Sequence, residues 1–247
     1  MAEAVGPRLR HGGELARERP RKPADPQRSA APQAGFRLGQ IAGVELRVDW
    51  SLAIVFWLIA VNLGVGMFPA MHPDWSPVLR WSVALAASVL FFASVLTHEL
   101  AHALVGRARG MPVQGITLFI FGGVTRLGGE PKSPSTEFLM AIAGPLTSFV
   151  LGIGCLLLGG AISGDAATAG LGAVEYARRL GPAASALMWL GTVNILLAVF
   201  NCLPGFPLDG GRVLRAAIWG ITGSLRKATR WPAPSGGCLP WLSSSPA

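Results

Sequence analysis

The chain has 247 residues, of which 51% are hydrophobic and 14% charged, where a soluble domain carries about a quarter charged residues. That balance excludes an ordinary soluble globular domain and points to several membrane spans. Net charge is +8, but the basic residues flank apolar segments and form no stripe with aromatics, which excludes nucleic acid as a partner and makes the lipid bilayer the surrounding phase.

Residues 1–40 are rich in Arg, Pro and Ala and carry no hydrophobic run. They read as a disordered cytoplasmic tail, not a cleavable signal peptide. Phe36 to Asp49 alternates weakly (Ile41, Val44, Leu46, Val48) and suggests a short strand or an interfacial segment. Trp50 to Phe68 is 19 uncharged residues, enough to cross a bilayer core of about 30 Å. His72 falls in the short loop that follows, and it and His11 read as solvated.

The second span runs from Trp81 to about Gly106, and Trp81 to Leu96 contains no charge. It closes on His98-Glu99-Leu100-Ala101-His102. Two histidines at i and i+4 lie about 40° apart on one helix face, so both imidazoles reach one metal ion. Glu99 points beside that ion and is placed to act as base toward water. Ionisable residues in an apolar span are costly, which favours function over chance.

Val113 to Leu127 is apolar but too short and too Gly-broken to span. Its β-branched and aromatic residues, with Gly122-Gly123 at a turn, predict a membrane-embedded β-hairpin. Gly122 and Gly123 serve either as a plain turn or as an edge that holds an extended peptide by main-chain pairing. Phe138 to Ile162 is the third uncharged stretch, interrupted by Ala143-Gly144-Pro145, and Pro182 to Leu203 is the fourth. Residues 163–181 read as a polar loop. Arg212 to Trp219 reads as a short interfacial helix, and the chain from Arg226 as unstructured. Cys155 and Cys202, in apolar sequence, read as small core residues, with no ligand-like spacing to Cys238.

A catalytic zinc takes three protein ligands, and the two histidines leave one to find. Glu130, Glu137, Asp165 and Glu175 sit in polar sequence. Asp209 instead follows an apolar span through Pro204-Gly205-Phe206-Pro207 and precedes Gly210-Gly211. Prolines end the helix and glycines permit close backbone approach, so Asp209 is the expected third ligand of one zinc per chain. Asn201 fits two roles equally: satisfying backbone groups freed by Pro204, or hydrogen-bonding a bound peptide.

Together these motifs resemble the site-2 protease family of intramembrane zinc metalloproteases. The resemblance rests on His98-Glu99-Leu100-Ala101-His102, Phe121-Gly122-Gly123, Ala143-Gly144-Pro145 and the block from Asn201 through Pro204 to Pro207-Leu208-Asp209-Gly210-Gly211, and covers roughly residues 41–216. It implies zinc on His98, His102 and Asp209, Glu99 as general base, Asn201 near substrate, and cleavage of single-span membrane proteins such as anti-sigma factors or other regulators. The loop after the second span is short, as in the subgroup without an inserted PDZ domain; members of that subgroup often continue into a further span and paired CBS domains.

The expected fold is therefore an all-α polytopic membrane protein of about four transmembrane helices with one embedded hairpin. The expected organisation is a tail over 1–40, a protease domain over 41–225 and an unstructured end over 226–247, which reads as truncated or frame-shifted. Nine Lys or Arg precede the first span, four lie at 107–137 and five follow the fourth span, against three (Arg80, Arg178, Arg179) on the opposite loops. This excess predicts a cell (inner) membrane protein with both termini cytoplasmic. Two competing functions use the same residues: an inactive truncated family member, and a membrane metal-binding or transport protein. Transport needs polar residues along several spans, whereas here polarity gathers at one depth.

Overall fold

The structure, a computed structural model, describes residues 35–164, 172–205 and 207–230. Most of the expected N-terminal tail, the end from 231 onward, His11 and Cys238 lie outside the described residues. Strands β1 (Phe36–Ile41) and β2 (Val44–Val48) form an antiparallel hairpin. Its turn places Ala42 at φ 51° and Gly43 at φ 73°, the left-handed pair that a two-residue hairpin turn demands. The weak alternation thus gives two strands, and β1 begins inside the stretch assigned to the tail. Arg37 Nε and Arg47 Nε donate to Glu45 Oε1 at 2.7 and 2.6 Å. These bonds, first that of Arg37, hold the Glu45 carboxyl down to about 2.

Helix α1 (Ser51–Val61) continues through a π-helical turn at Asn62–Met67 into α2 (Phe68–Met71). Gly64 in that turn lies against the Trp81 indole. Helix α3 (Pro77–Ala108) starts where Ser76 Oγ accepts from the Leu79 N–H at 3.3 Å, with Pro77 in the first position. Strands β3 (Val113–Phe119) and β4 (Gly122–Leu127) follow. Helix α4 (Pro134–Ile162) repeats the start with Ser133 as cap and Pro134 next, and runs unbroken through Pro145. Helices α5 (Ala173–Arg179), α6 (Pro182–Asn201), α7 (Asp209–Thr222) and α8 (Leu225–Arg230) complete the described chain. The polar loop therefore contains α5, the interfacial helix is longer than its sequence suggested, and the segment from Arg226 begins inside α8.

Among the described residues, four helical stretches are long and apolar enough to cross a bilayer: Ser51–Met71, Pro77–Ala108, Pro134–Ile162 and Pro182–Asn201. Their outer faces expose large apolar side chains such as Ile54, Leu58, Val89, Phe149 and Leu157. Helices α4 and α6 approach closely through Gly152 and Gly191. A Cβ on either glycine would stand within 3.0 Å of the other's carbonyl oxygen, so only small residues permit this packing.

The hairpin expected at 113–127 is not isolated. All four strands form one sheet in the order β1-β2-β3-β4, with β2 parallel to β3 and β3 antiparallel to β4. Period-2 alternation turns Val44, Leu46, Ile116 and Leu118 inward against Val95 and Ala103 of α3. That packing fixes the sheet on the helix that carries the histidine pair, and leaves β4 as an edge strand beside it.

Two side chains behave differently from their sequence reading. His72, expected to be solvated, is buried and stacks on Trp75 with ring centroids 4.0 Å apart. Its Nε2 lies 2.9 Å from Ser185 Oγ on α6, so it ties the first interhelical loop to the fourth span. Cys202 is exposed and not a core residue, and neither it nor Cys155 is disulfide-bonded. At the other end of the bundle, Glu137 on α4 is fully buried and accepts from Arg215 on α7, with Nε at 2.7 Å and the Nη2 group also bonded. This ion pair clamps α7 to α4.

Candidate metal centre

The final turns of α3 present His98 and His102 inward, and both are buried. The chain after α6 turns through Leu203, Gly205 and Leu208, where Gly205 N–H bonds to the Leu203 carbonyl and Leu208 N–H to the Gly205 carbonyl. Asp209 then opens α7, where the helix N-terminus favours a carboxylate. Gly210 rests on the Cys202 and Leu203 carbonyls, and any Cβ there would collide with them. That close seat brings Asp209 back to α3.

Three ligand atoms converge. Asp209 Oδ2 lies 3.2 Å from His98 Nε2 and 3.1 Å from His102 Nε2, and the two Nε2 atoms are 3.1 Å apart. Three corners of a tetrahedron around zinc, with bonds of about 2.0–2.1 Å, stand about 3.3 Å apart. The triangle therefore has the size of a metal's ligand set. Tautomers agree with this. His102 Nδ1 donates to the Met140 carbonyl at 2.6 Å. A carbonyl only accepts, so Nε2 is left with its lone pair toward the centre. His98 Nδ1 meets Ser148 Oγ at 2.9 Å. Both partners belong to α4.

Gly144 supplies the space. A Cβ built there would stand 2.5 Å from His98 Nε2 and closer still to His102 Nε2. The missing methyl thus marks a point within bonding reach of both imidazoles. The residues present fit a metal ion.

Glu99 faces the same cavity, of about 330 Å³. Thr125 Oγ1 of β4 donates to Glu99 Oε2 at 2.9 Å. Gly123 packs on the carboxylate so tightly that a Cβ would be 2.7 Å from Glu99 Cδ. The structure thus brings all seven residues singled out from sequence around one cavity, His98, Glu99, His102, Gly122, Gly123, Asn201 and Asp209. The amide nitrogen of Asn201 donates to the Leu197 carbonyl at 2.9 Å, which is a backbone-satisfying bond. Sequence reasoning missed Ser148, the Met140 carbonyl, Thr125 and Arg212. Ser148 lies one turn beyond Gly144 and Arg212 one turn beyond Asp209, so helical spacing was the available signal for both.

A bundle of apolar helices enclosing a His-His-Asp triad with an adjoining carboxylate is a membrane protein with a metallopeptidase-type centre. The chain belongs to peptidase family M50, whose model matches residues 86–231. It is 43% identical over 184 residues to zinc metalloprotease Rip3 of Mycobacterium tuberculosis, an alignment covering 74% of this chain and 43% of that protein. It is 35% identical over 208 residues to zinc metalloprotease sll0528 of Synechocystis sp., covering 84% and 50%. The solved structure of the site-2 protease from Methanocaldococcus jannaschii superposes with a TM-score of 0.51 at 30% identity, covering 81% of this chain and 78% of that one. The chain spans about half the length of the curated relatives it matches.

Proposed function

We propose that this chain is a zinc-dependent intramembrane endopeptidase that cuts single-span membrane proteins, with anti-sigma factors and similar regulators as the substrate class. The observation that carries the reading is the triangle of His98, His102 and Asp209, with a glycine at position 144 where any Cβ would crowd both imidazole Nε2 atoms. One zinc per chain would be held by these three residues. When bound, zinc lowers the pKa of water and polarises a carbonyl.

The chain's own groups supply the remainder. Glu99 takes the proton of the attacking water and returns it to the leaving amine. Thr125 fixes Glu99 Oε2, and Gly123 leaves room for the carboxylate to lie along β4. The free edge of β4, with Gly122 and Gly123 at its start, holds the unwound substrate extended by main-chain pairing. Asn201 borders that path, where its carbonyl oxygen accepts from a substrate N–H. The sheet's β3–β4 end lies at membrane depth beside the cavity, where irregular backbone is tolerated against protein or water. The basic excess supports a cytoplasmic side for both termini and the metal centre at the cell membrane.

Co-expression with single-span substrates tests this. Wild type should cleave, and Glu99→Gln should keep zinc and membrane insertion while losing about 10²–10⁴-fold in rate. A Glu99→Gln protein that cleaves at wild-type rate with zinc bound would refute the mechanism. Zinc flux into vesicles without cleavage would replace it with transport.

A further inference from the structure

The cavity that holds the ligand triad is also lined by one arginine. Arg212 lines it from α7, three residues after Asp209 and therefore on the neighbouring face one turn further along. Every other ionisable side chain at the site has a partner: Asp209 meets both histidines, and Glu99 meets Thr125. Arg212 is half-buried and forms no ion pair with a described residue. Its neighbour Arg215, by contrast, is tied to Glu137. Arginine remains charged at any working pH, and a desolvated guanidinium seeks an anion. A dication with Glu99, Asp209 and Arg212 leaves the site with a net single positive charge, which matches one anionic group.

Amide hydrolysis makes such a group. Water's oxygen bonds to the carbonyl carbon, the carbonyl π pair moves to its oxygen, and the water proton goes to Glu99. The C–N bond then breaks with its pair on nitrogen, which takes the proton from Glu99. The products are a carboxylic acid and an amine, and the acid's proton ends on the amine. Negative charge thus appears first on the tetrahedral oxygen and then on the new carboxylate.

We propose that Arg212 is a further catalytic residue, whose guanidinium binds the negative charge that amide hydrolysis creates, on the tetrahedral oxygen and then on the product carboxylate. The proposal rests on the protease reading above. Its planar fork suits a carboxylate in two-point contact. A donor aimed at developing charge is worth about 10²–10³-fold in turnover.

The test uses the full chain, purified with zinc in detergent. An N-acetylated apolar hexapeptide is measured by calorimetry in two forms, with a C-terminal carboxylate and with a C-terminal amide. Wild type should bind the acid at least about tenfold more tightly than the amide, and Arg212→Gln should bind both alike. In cleavage assays Arg212→Gln should lose about 10²–10³-fold in kcat, with KM and zinc content near wild type. Arg212→Lys should fall between, since it keeps charge and loses the fork. The proposal is overturned if Arg212→Gln keeps the acid preference, keeps kcat within about threefold, or loses zinc. Retained preference and rate mean that Arg212 serves solvent or lipid headgroups. Lost zinc means that it serves the metal ligands. If wild type prefers the acid through Arg212 yet cleaves no peptide, the anion site stands and the protease reading falls.

Discussion

Gly144→Ala adds a single methyl group at the centre of the site. Its Cβ would stand 2.5 Å from His98 Nε2 and nearer to His102 Nε2. Zinc–nitrogen bonds of about 2.0–2.1 Å put the metal in the same volume. Unbonded heavy atoms settle at about 3.5–4.0 Å, so methyl or imidazole must move by about 1 Å or more. Metal sites tolerate about 0.2 Å in their ligand distances. The helix itself gains, because alanine is favoured over glycine by about 0.8–1.0 kcal/mol in a helix interior. The expected outcome is a protein that accumulates in the membrane but carries less than about a tenth of an equivalent of zinc. Metal analysis of purified protein measures this, with Gly154→Ala as the control. That position lies on the same helix, has nothing within 4 Å of an added Cβ, and should keep its zinc. A Gly144→Ala protein with one equivalent of zinc and wild-type cleavage would sink the assignment of the metal position.

Gly123→Ala should behave in the opposite way, because its Cβ meets Glu99 and not the ligands: zinc stays near one equivalent while cleavage falls about 10²–10⁴-fold. Ser148→Ala removes the oxygen that meets His98 Nδ1 and should weaken zinc affinity about 10–100-fold in a chelator competition, with cleavage restored at high zinc. Glu137→Gln leaves Arg215 without its buried carboxylate and should cost about 3–5 kcal/mol in unfolding, part of it recovered in Glu137→Gln/Arg215→Met. Burial pushes His72 below its ordinary value, while Asp74 and the Arg178 backbone oppose the shift. The unfolded chain therefore binds more protons once the pH drops below about 6.5, and stability falls from there downward. Thermal unfolding of wild type between pH 7.5 and 5.5 should show that loss, and His72→Gln should flatten it; equal slopes would refute the buried neutral imidazole.

The histidine pair was legible because helical spacing alone sets it, and Asp209 because two prolines and two glycines mark a chain forced back on itself. Gly144 was visible only as part of Ala143-Gly144-Pro145, a break in the third uncharged stretch. Its role is the absence of a side chain, and an absence acquires meaning only once α4 is laid beside α3. The parallel pairing of β2 with β3 joins segments some 70 residues apart across the first two spans, and periodicity within each segment carries no trace of it. His72 read as a loop histidine because its loop is polar and short. The partners that bury it, Trp75 and Ser185, come partly from the fourth span. Arg212 was absorbed into a count of basic residues, since a cation after a span serves topology by default.

The arrangement of elements also bears on what the metal does for the fold. Helix α7 packs mainly on α4 and α8, with little contact to α3. Yet two of the candidate ligands stand on α3 and the third on the first residue of α7. A metal on this triad is therefore a cross-link between elements that otherwise scarcely meet, while α4 braces both sides through Met140, Ser148 and Glu137. Binding to the folded form alone stabilises it by RT ln(1 + [L]/Kd), so the docking of α7 and the occupancy of the site rise and fall together. The same logic explains why glycine stands at positions 123, 144 and 210. Each is a point where backbone from one element closely approaches Glu99, the histidine pair or the end of α6, and a methyl at any of them would force those elements apart.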